Sequence, residues 1–138
     1  MIGNQLDSLF SVVSLAGWVI GGFSILVGGF GIANIMFVSV KERTKLIGIQ
    51  KALGAKNSFI LIQFLLESVF LCIAGGILGL LFVYVMAISI TSFTDFNVEL
   101  SAKNIILGIL VSVIIGIISG ITPALSASKL DPVEAIRR

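Results

Sequence analysis

The 138 residues include no histidine, one cysteine and two prolines, and only 12 % of them are charged. An average soluble domain carries about 25 % charged residues, so this chain has roughly half the charge that a water-facing surface needs. With Cys72 as its lone thiol, it forms no disulfide within one chain and no Cys/His metal site. It also lacks a phosphate-binding Gly-x-x-x-x-Gly-Lys-Ser/Thr loop. The cluster at Gly28, Gly29 and Gly31 runs on into Ile32-Ala33-Asn34 without a lysine. These absences exclude a disordered chain, a disulfide scaffold and an ordinary cytosolic enzyme. The composition that remains is 57 % hydrophobic with 15 glycines and a mean hydropathy of +1.17. It is the composition of a membrane protein.

The few charges leave three long gaps. Residues 8–40 hold 33 uncharged positions, residues 68–94 hold 27, and residues 104–128 hold 25. The second gap extends back to Asn57 with only Glu67 interrupting. A helix needs about 20 apolar residues, at about 1.5 Å each, to cross a bilayer. Barrel strands alternate polar with apolar side chains, and these runs do not. The expected fold is therefore an all-α membrane protein with three transmembrane helices, at about residues 10–40, 58–92 and 104–127. The first gap would cover about 50 Å as a helix, against a hydrocarbon core of about 30 Å. We expect it to project beyond one face, on the N-terminal side where Gln5, Asp7, Ser8, Ser11 and Ser14 dilute the apolar residues.

Orientation follows from the basic residues of the short loops. The connector at residues 41–57 carries Lys41, Arg43, Lys45, Lys51 and Lys56 against one acid, Glu42. The connector after the second span has only Lys103, with Asp95 and Glu99, and the tail at residues 128–138 has Lys129, Arg137 and Arg138. The first connector and the tail are thus expected in the cytoplasm, and the N-terminus outside. An outside N-terminus without a basic flank does not resemble a signal peptide. We expect an upstream span and an extracytoplasmic domain in a longer chain; the alternative is a small self-standing protein.

Small residues recur four apart at Gly17 and Gly21, Gly29 and Ala33, Gly75 and Gly79, and Gly116 and Gly120. Such rows let helix backbones approach closely in lipid, within one bundle or across a dimer. Glu67 is the one ionisable side chain inside a span, with Gln63 one turn earlier as a candidate hydrogen-bond partner. Its expected role is structural, against a basic side chain or the headgroup interface; a direct part in transport or gating is the competing reading.

The connector has its own pattern. Leu46, Ile49 and Leu53 make one apolar stripe, and Lys45, Lys51 and Lys56 stay polar. Gly54 is placed to end that helix, and Asn57 or Ser58 to cap the next. An amphipathic helix of this kind lies on anionic lipid or docks into a groove on another protein. A helix-turn-helix reading, with nucleic acid as partner, is rejected because the second helix would sit in the bilayer. In the tail, Asp131 suits an N-cap, Pro132 the first helical position, and Glu134 a capping box. Pro123 is expected to mark a kink or an end of the third span.

Taken in order, several segments resemble the C-terminal half of the MacB/FtsX-like family of ABC transporter permeases, nearest the MacB-type branch. They begin with Val27-Gly28-Gly29-Phe30-Gly31-Ile32-Ala33-Asn34-Ile35-Met36 and Val38-Ser39-Val40-Lys41-Glu42-Arg43-Thr44. Ile47-Gly48-Ile49, Lys51-Ala52-Leu53-Gly54-Ala55 and Gln63-Phe64-Leu65-Leu66-Glu67-Ser68 follow. Gly75-Gly76, Gly79, Pro123-Ala124, Ala127 and Leu130-Asp131-Pro132-Val133-Glu134-Ala135 complete the likeness.

The resemblance implies a permease subunit of the bacterial inner membrane, working as a homodimer or heterodimer. It also implies a cytoplasmic amphipathic coupling helix between the first two spans, seated on an ABC ATP-binding subunit or domain. Leu46, Ile49, Lys51, Leu53 and Gly54 are then the docking candidates. No cofactor is expected on this chain, since ATP belongs to the partner, and the chain itself is not expected to be an enzyme. Periplasmic or outer-membrane proteins are further candidate partners. The implied work is export or envelope work driven by mechanotransmission; the alternative is FtsX-like control of an envelope partner without transport. A stand-alone channel is disfavoured, because no series of polar residues lines a path.

The orientation has a direct test. With Cys72 removed, a cysteine at Thr44 or Ser58 is expected to resist an impermeant thiol reagent in intact cells, and one at Asn97 to be labelled. Labelling at Thr44 would overturn the orientation.

Overall fold

Backbone hydrogen bonds have to be satisfied inside each apolar segment when lipid offers none, and the chain does this with helices. A computed structural model describes residues 2–93 and 101–137 and is all-helical over them. The order is α1 (Ile2–Glu42), α2 (Thr44–Ala52), α3 (Asn57–Phe93), α4 (Ala102–Ser128) and α5 (Pro132–Arg137). Helices α1, α3 and α4 are each long and apolar enough to cross a membrane. Asp95, Asn97, Glu99 and Arg138 lie outside the described residues. With 41 residues, α1 reaches about 60 Å; Lys41 and Glu42, read from sequence as the start of the connector, are still helix.

Helices α3 and α4 lie antiparallel in a register fixed by small side chains. A Cβ built on Gly120 would stand 2.6 Å from Ser68 Cβ, and one on Gly116 would stand 2.7 Å from Val69 Cα and 3.2 Å from Cys72 Cβ. Further along, Gly76 meets Ser112, and Gly108 faces Leu80 at 3.4 Å. Each step of four along α3 (Ser68, Cys72, Gly76, Leu80) is matched by a step of four back along α4 (Gly120, Gly116, Ser112, Gly108). The Ser68 hydroxyl shares its proton between Leu65 O of its own turn, at 2.8 Å, and Gly116 O across the interface, at 2.9 Å. Helix α1 joins this pair through Gly29, whose Cβ would stand 2.9 Å from Ser119 Oγ.

The expected packing positions thus divide. Gly29, Gly116 and Gly120 sit in close contacts, and Ala33 is half-buried. Among the described residues, nothing lies within 4 Å of a Cβ built on Gly17, Gly21, Gly75 or Gly79. On α3 the glycine that touches α4 is Gly76, one residue from the expected row and so turned by about 100°.

Pro123 does not end its helix: α4 runs five residues past it to Ser128, correcting the expectation of an end there. Proline removes one intrahelical bond, but Pro123, Ala124, Ala127 and Ser128 are all buried, so packing holds the turn in place. The apolar core lies at this end of the bundle. It joins Met36 and Val40 of α1, Ile47 of α2, Ile60 and Phe64 of α3, and Ala124 and Ala127 of α4. At the opposite end, residues 3–20 of α1 are all exposed among the described residues.

These contacts predict unequal effects of adding volume. Gly116→Ala or Gly120→Ala forces backbone or Ser68 to shift and should destabilise by about 1–3 kcal/mol. Gly79→Ala meets open space, and alanine favours a helix over glycine by about 0.8–1.0 kcal/mol, so it should be neutral or stabilising. Thermal unfolding in detergent ranks the three; equal losses would refute the register.

Candidate functional site

The short helix α2 and the elements that hold it form the most organised polar region of the chain. Only Arg43 separates α2 from α1, and the hydrogen bonding runs through it: Arg43 N–H donates to Ser39 O and Ile47 N–H to Arg43 O, both at 3.0 Å. The Thr44 hydroxyl bonds back to Val40 O at 2.9 Å. The other end of α2 closes on Gly54, whose φ of +99° suits a residue without Cβ. Gly54 N–H donates to Lys51 O and Ala55 N–H to Gln50 O, each at 3.0 Å. This is the paired C-terminal closure of a Schellman motif. Both ends of α2 are therefore defined by backbone bonds.

One face of α2 is turned inward. Ile47 enters the apolar core. Gly48 lies against α5, where a Cβ would stand 2.9 Å from Ala135 Cβ and 3.1 Å from Ile136 Cγ1. Helix α5 is itself capped by Asp131, whose Oδ1 accepts from Val133 N–H at 2.9 Å. One turn beyond Ile47, the Lys51 ammonium donates to Ser128 O and, at 2.7 Å, to Leu130 O. Lys51, placed among the docking candidates by the family resemblance, thus binds the end of α4 instead of facing outward.

The other face is bare. Leu46 is 52 % exposed, Ile49 48 % and Leu53 84 %. Beside Leu53, an open concavity of about 690 Å³ is walled by Gly54, Lys56, Phe59 and Ile62. The two faces are split between different chemistries: small and hydrogen-bonded inside, branched apolar outside.

Glu67 has a partner. Arg43 Nη1 donates to its Oε2 at 3.3 Å, with side-chain exposures of 48 % and 32 %. Gln63, the expected partner, leaves its Oε1 buried and unbonded among the described residues. The contact joins the junction of α1 and α2 to α3. Among the described residues, no three acidic or thiol side chains gather as metal ligands. The region offers a surface and a set of mechanical ties, with no nucleophile placed against a base.

A family model described as FtsX-like permease C-terminal matches residues 18–132. The chain belongs to that family. It is 48 % identical to the uncharacterized ABC transporter permease YknZ of Bacillus subtilis over 118 residues, which cover 86 % of this chain and 30 % of YknZ. It is 41 % identical over 138 residues to the macrolide export ATP-binding/permease protein MacB of Mannheimia succiniciproducens, covering 99 % of this chain and 22 % of that protein. MacB of Bdellovibrio bacteriovorus is 43 % identical over 136 residues, 99 % of this chain and 21 % of its own length. The chain therefore spans only about a fifth to a third of these curated relatives. The family is one of permeases, and the three apolar helices, each long enough to cross a bilayer, are consistent with a membrane protein.

Sequence reasoning missed the inward face. The sequence pattern gives Ile47 and Gly48 no inward contact and gives Arg43 no partner beyond its place among the connector's basic residues. The available signal was the spacing of Ile47 and Lys51, one turn apart and off the apolar stripe.

Because the pair of Arg43 and Glu67 is partly exposed, its coupling should be small. A double-mutant cycle with Arg43→Gln and Glu67→Gln, read by thermal unfolding, is expected to give below about 1 kcal/mol. A coupling of several kcal/mol would mean that the pair is buried in the working protein.

Proposed function

We propose that this chain is the C-terminal transmembrane part of a permease in a bacterial plasma membrane, with α2 as its coupling helix. In this reading α2 and α5 face the cytoplasm, and an ABC ATP-binding subunit or domain seats itself on Leu46, Ile49 and Leu53. ATP is hydrolysed on that partner. The permease passes the resulting movement across the membrane to drive export or envelope work. Gly17, Gly21, Gly75 and Gly79, bare among the described residues, are faces for close approach by a second permease copy.

The carrying observation is the exposure of three branched apolar side chains on a helix held firmly from behind. A helix that merely lay on lipid would not need a buried isoleucine, a glycine pressed on α5 and a lysine bonded to α4. The basic excess of the connector supports a cytoplasmic position, and the relatives' names support an ATP-binding partner.

Fully burying one leucine contributes about 1.5–3 kcal/mol. Leu53→Asp in the full-length permease is therefore expected to weaken ATPase co-purification about tenfold to a hundredfold. A lipid-surface role predicts instead that Lys45→Gln with Lys56→Gln matters at least as much. Unchanged co-purification and ATP hydrolysis in Leu53→Asp would refute docking.

A further inference from the structure

Helix α2 is tied to the bundle by two polar links of unequal quality. The link to α3, between Arg43 and Glu67, is long at 3.3 Å and partly exposed. The link to α4 is part-buried: Lys51 Nζ donates to the carbonyls of Ser128 and Leu130. The last carbonyls of a helix lack partners within it and carry its partial negative charge, so an ammonium there is both hydrogen-bonded and electrostatically favoured. Shielding from water strengthens such bonds.

We propose that Lys51 is the positioning residue through which displacement of α2 reaches α4. The inference rests on the ATPase docking proposed above. Three further observations direct the movement along this route. Gly48, one turn before Lys51, is wedged against α5 without room for a Cβ, so α2 and the chain after α4 move together. Helix α4 is packed on both other long helices, against α3 at Gly116 and Gly120 and against α1 through Ser119. The alternative tie, Arg43 to Glu67, yields to water more readily. Besides its covalent junctions with α1 and α3, α2 thus has a direct polar route to the end of α4, and Lys51 provides that connection.

Hydrogen–deuterium exchange on the intact permease with its ATPase, nucleotide-free and vanadate-trapped, tests this. In the wild type, exchange in α2 and at residues 125–129 of α4 should change together. Lys51→Gln should keep the α2 response and ATPase co-purification while reducing the α4 response about tenfold, the scale of one lost charge-assisted bond. The maximal ATPase rate should fall by a similar factor at an unchanged KM for ATP, and Lys51→Arg should restore both readouts. A full α4 response in Lys51→Gln overturns the proposal. So does loss of the ATPase from that variant, which would put Lys51 in the docking face. If Lys51→Gln fails to assemble, the wild type decides: an α2 response without an α4 response overturns it equally. Absence of any α2 response on ATPase binding would instead remove the docking proposal.

Discussion

The contact of α3 with α4 at Gly116 and Gly120 sets the position of everything else. Lipid tails are as apolar as the side chains they meet, so helices in a bilayer gain little by hiding leucine from it. They gain by close contact, and close contact requires missing side chains. With Val69 Cα only 2.7 Å from where a Gly116 Cβ would stand, the backbones approach as far as sterics permit. The Ser68 hydroxyl then reaches Gly116 O at 2.9 Å. That register aligns Phe64 with Ala124, brings Ala127 into the core, and presents the Ser128 and Leu130 carbonyls where Lys51 bonds them.

The same logic explains why the bundle is tight at one end and open at the other. Around Met36, Ile47, Ile60 and Phe64, three long helices and α2 share buried side chains. Among the described residues no side chain covers residues 3–20 of α1, and from Leu15 to Phe23 the helix is apolar on all sides. A helix that is hydrophobic all round belongs in lipid or against other membrane helices. Its isolation here costs nothing in a bilayer.

How much of this was legible in the residues depends on the range of the interaction. The spans followed from uninterrupted apolar length, and Gly54 and the Asp131-Pro132 pair followed from capping rules that act within one turn. The structure places those features where local chemistry put them: a positive φ at Gly54, and Asp131 accepting from Val133. What escaped was the set of contacts made across the chain. Lys51 meets carbonyls 77 and 79 residues away, and Arg43 meets Glu67 at a separation of 24. Only the spacing of Lys51 from Ile47, one turn on and off the apolar stripe, sets it apart from Lys45 and Lys56, and that spacing does not name the carbonyls it meets. For the glycines, adjacent Gly75 and Gly76 open two rows on α3, and choosing between them requires the phase of α4. Of the two readings of Pro123, kink or end, the end is excluded because α4 runs on to Ser128 through buried turns that its own sequence does not reveal.

On the proposed reading of α2 as a coupling helix, its two faces divide the labour. A helix that transmits movement needs a rigid attachment on one side and a detachable contact on the other. Rigid attachment favours glycine against helix, core isoleucine and ammonium against carbonyl, since each loses much when displaced by a fraction of an ångström. A detachable contact favours apolar side chains on an accessible helix, because burial is non-directional and tolerates small shifts. Ile47, Gly48 and Lys51 meet the first requirement, and Leu46, Ile49 and Leu53 the second. The nine residues of α2 and its C-cap Leu53 are enough for both, because a turn of 3.6 residues returns each chemistry to its own face.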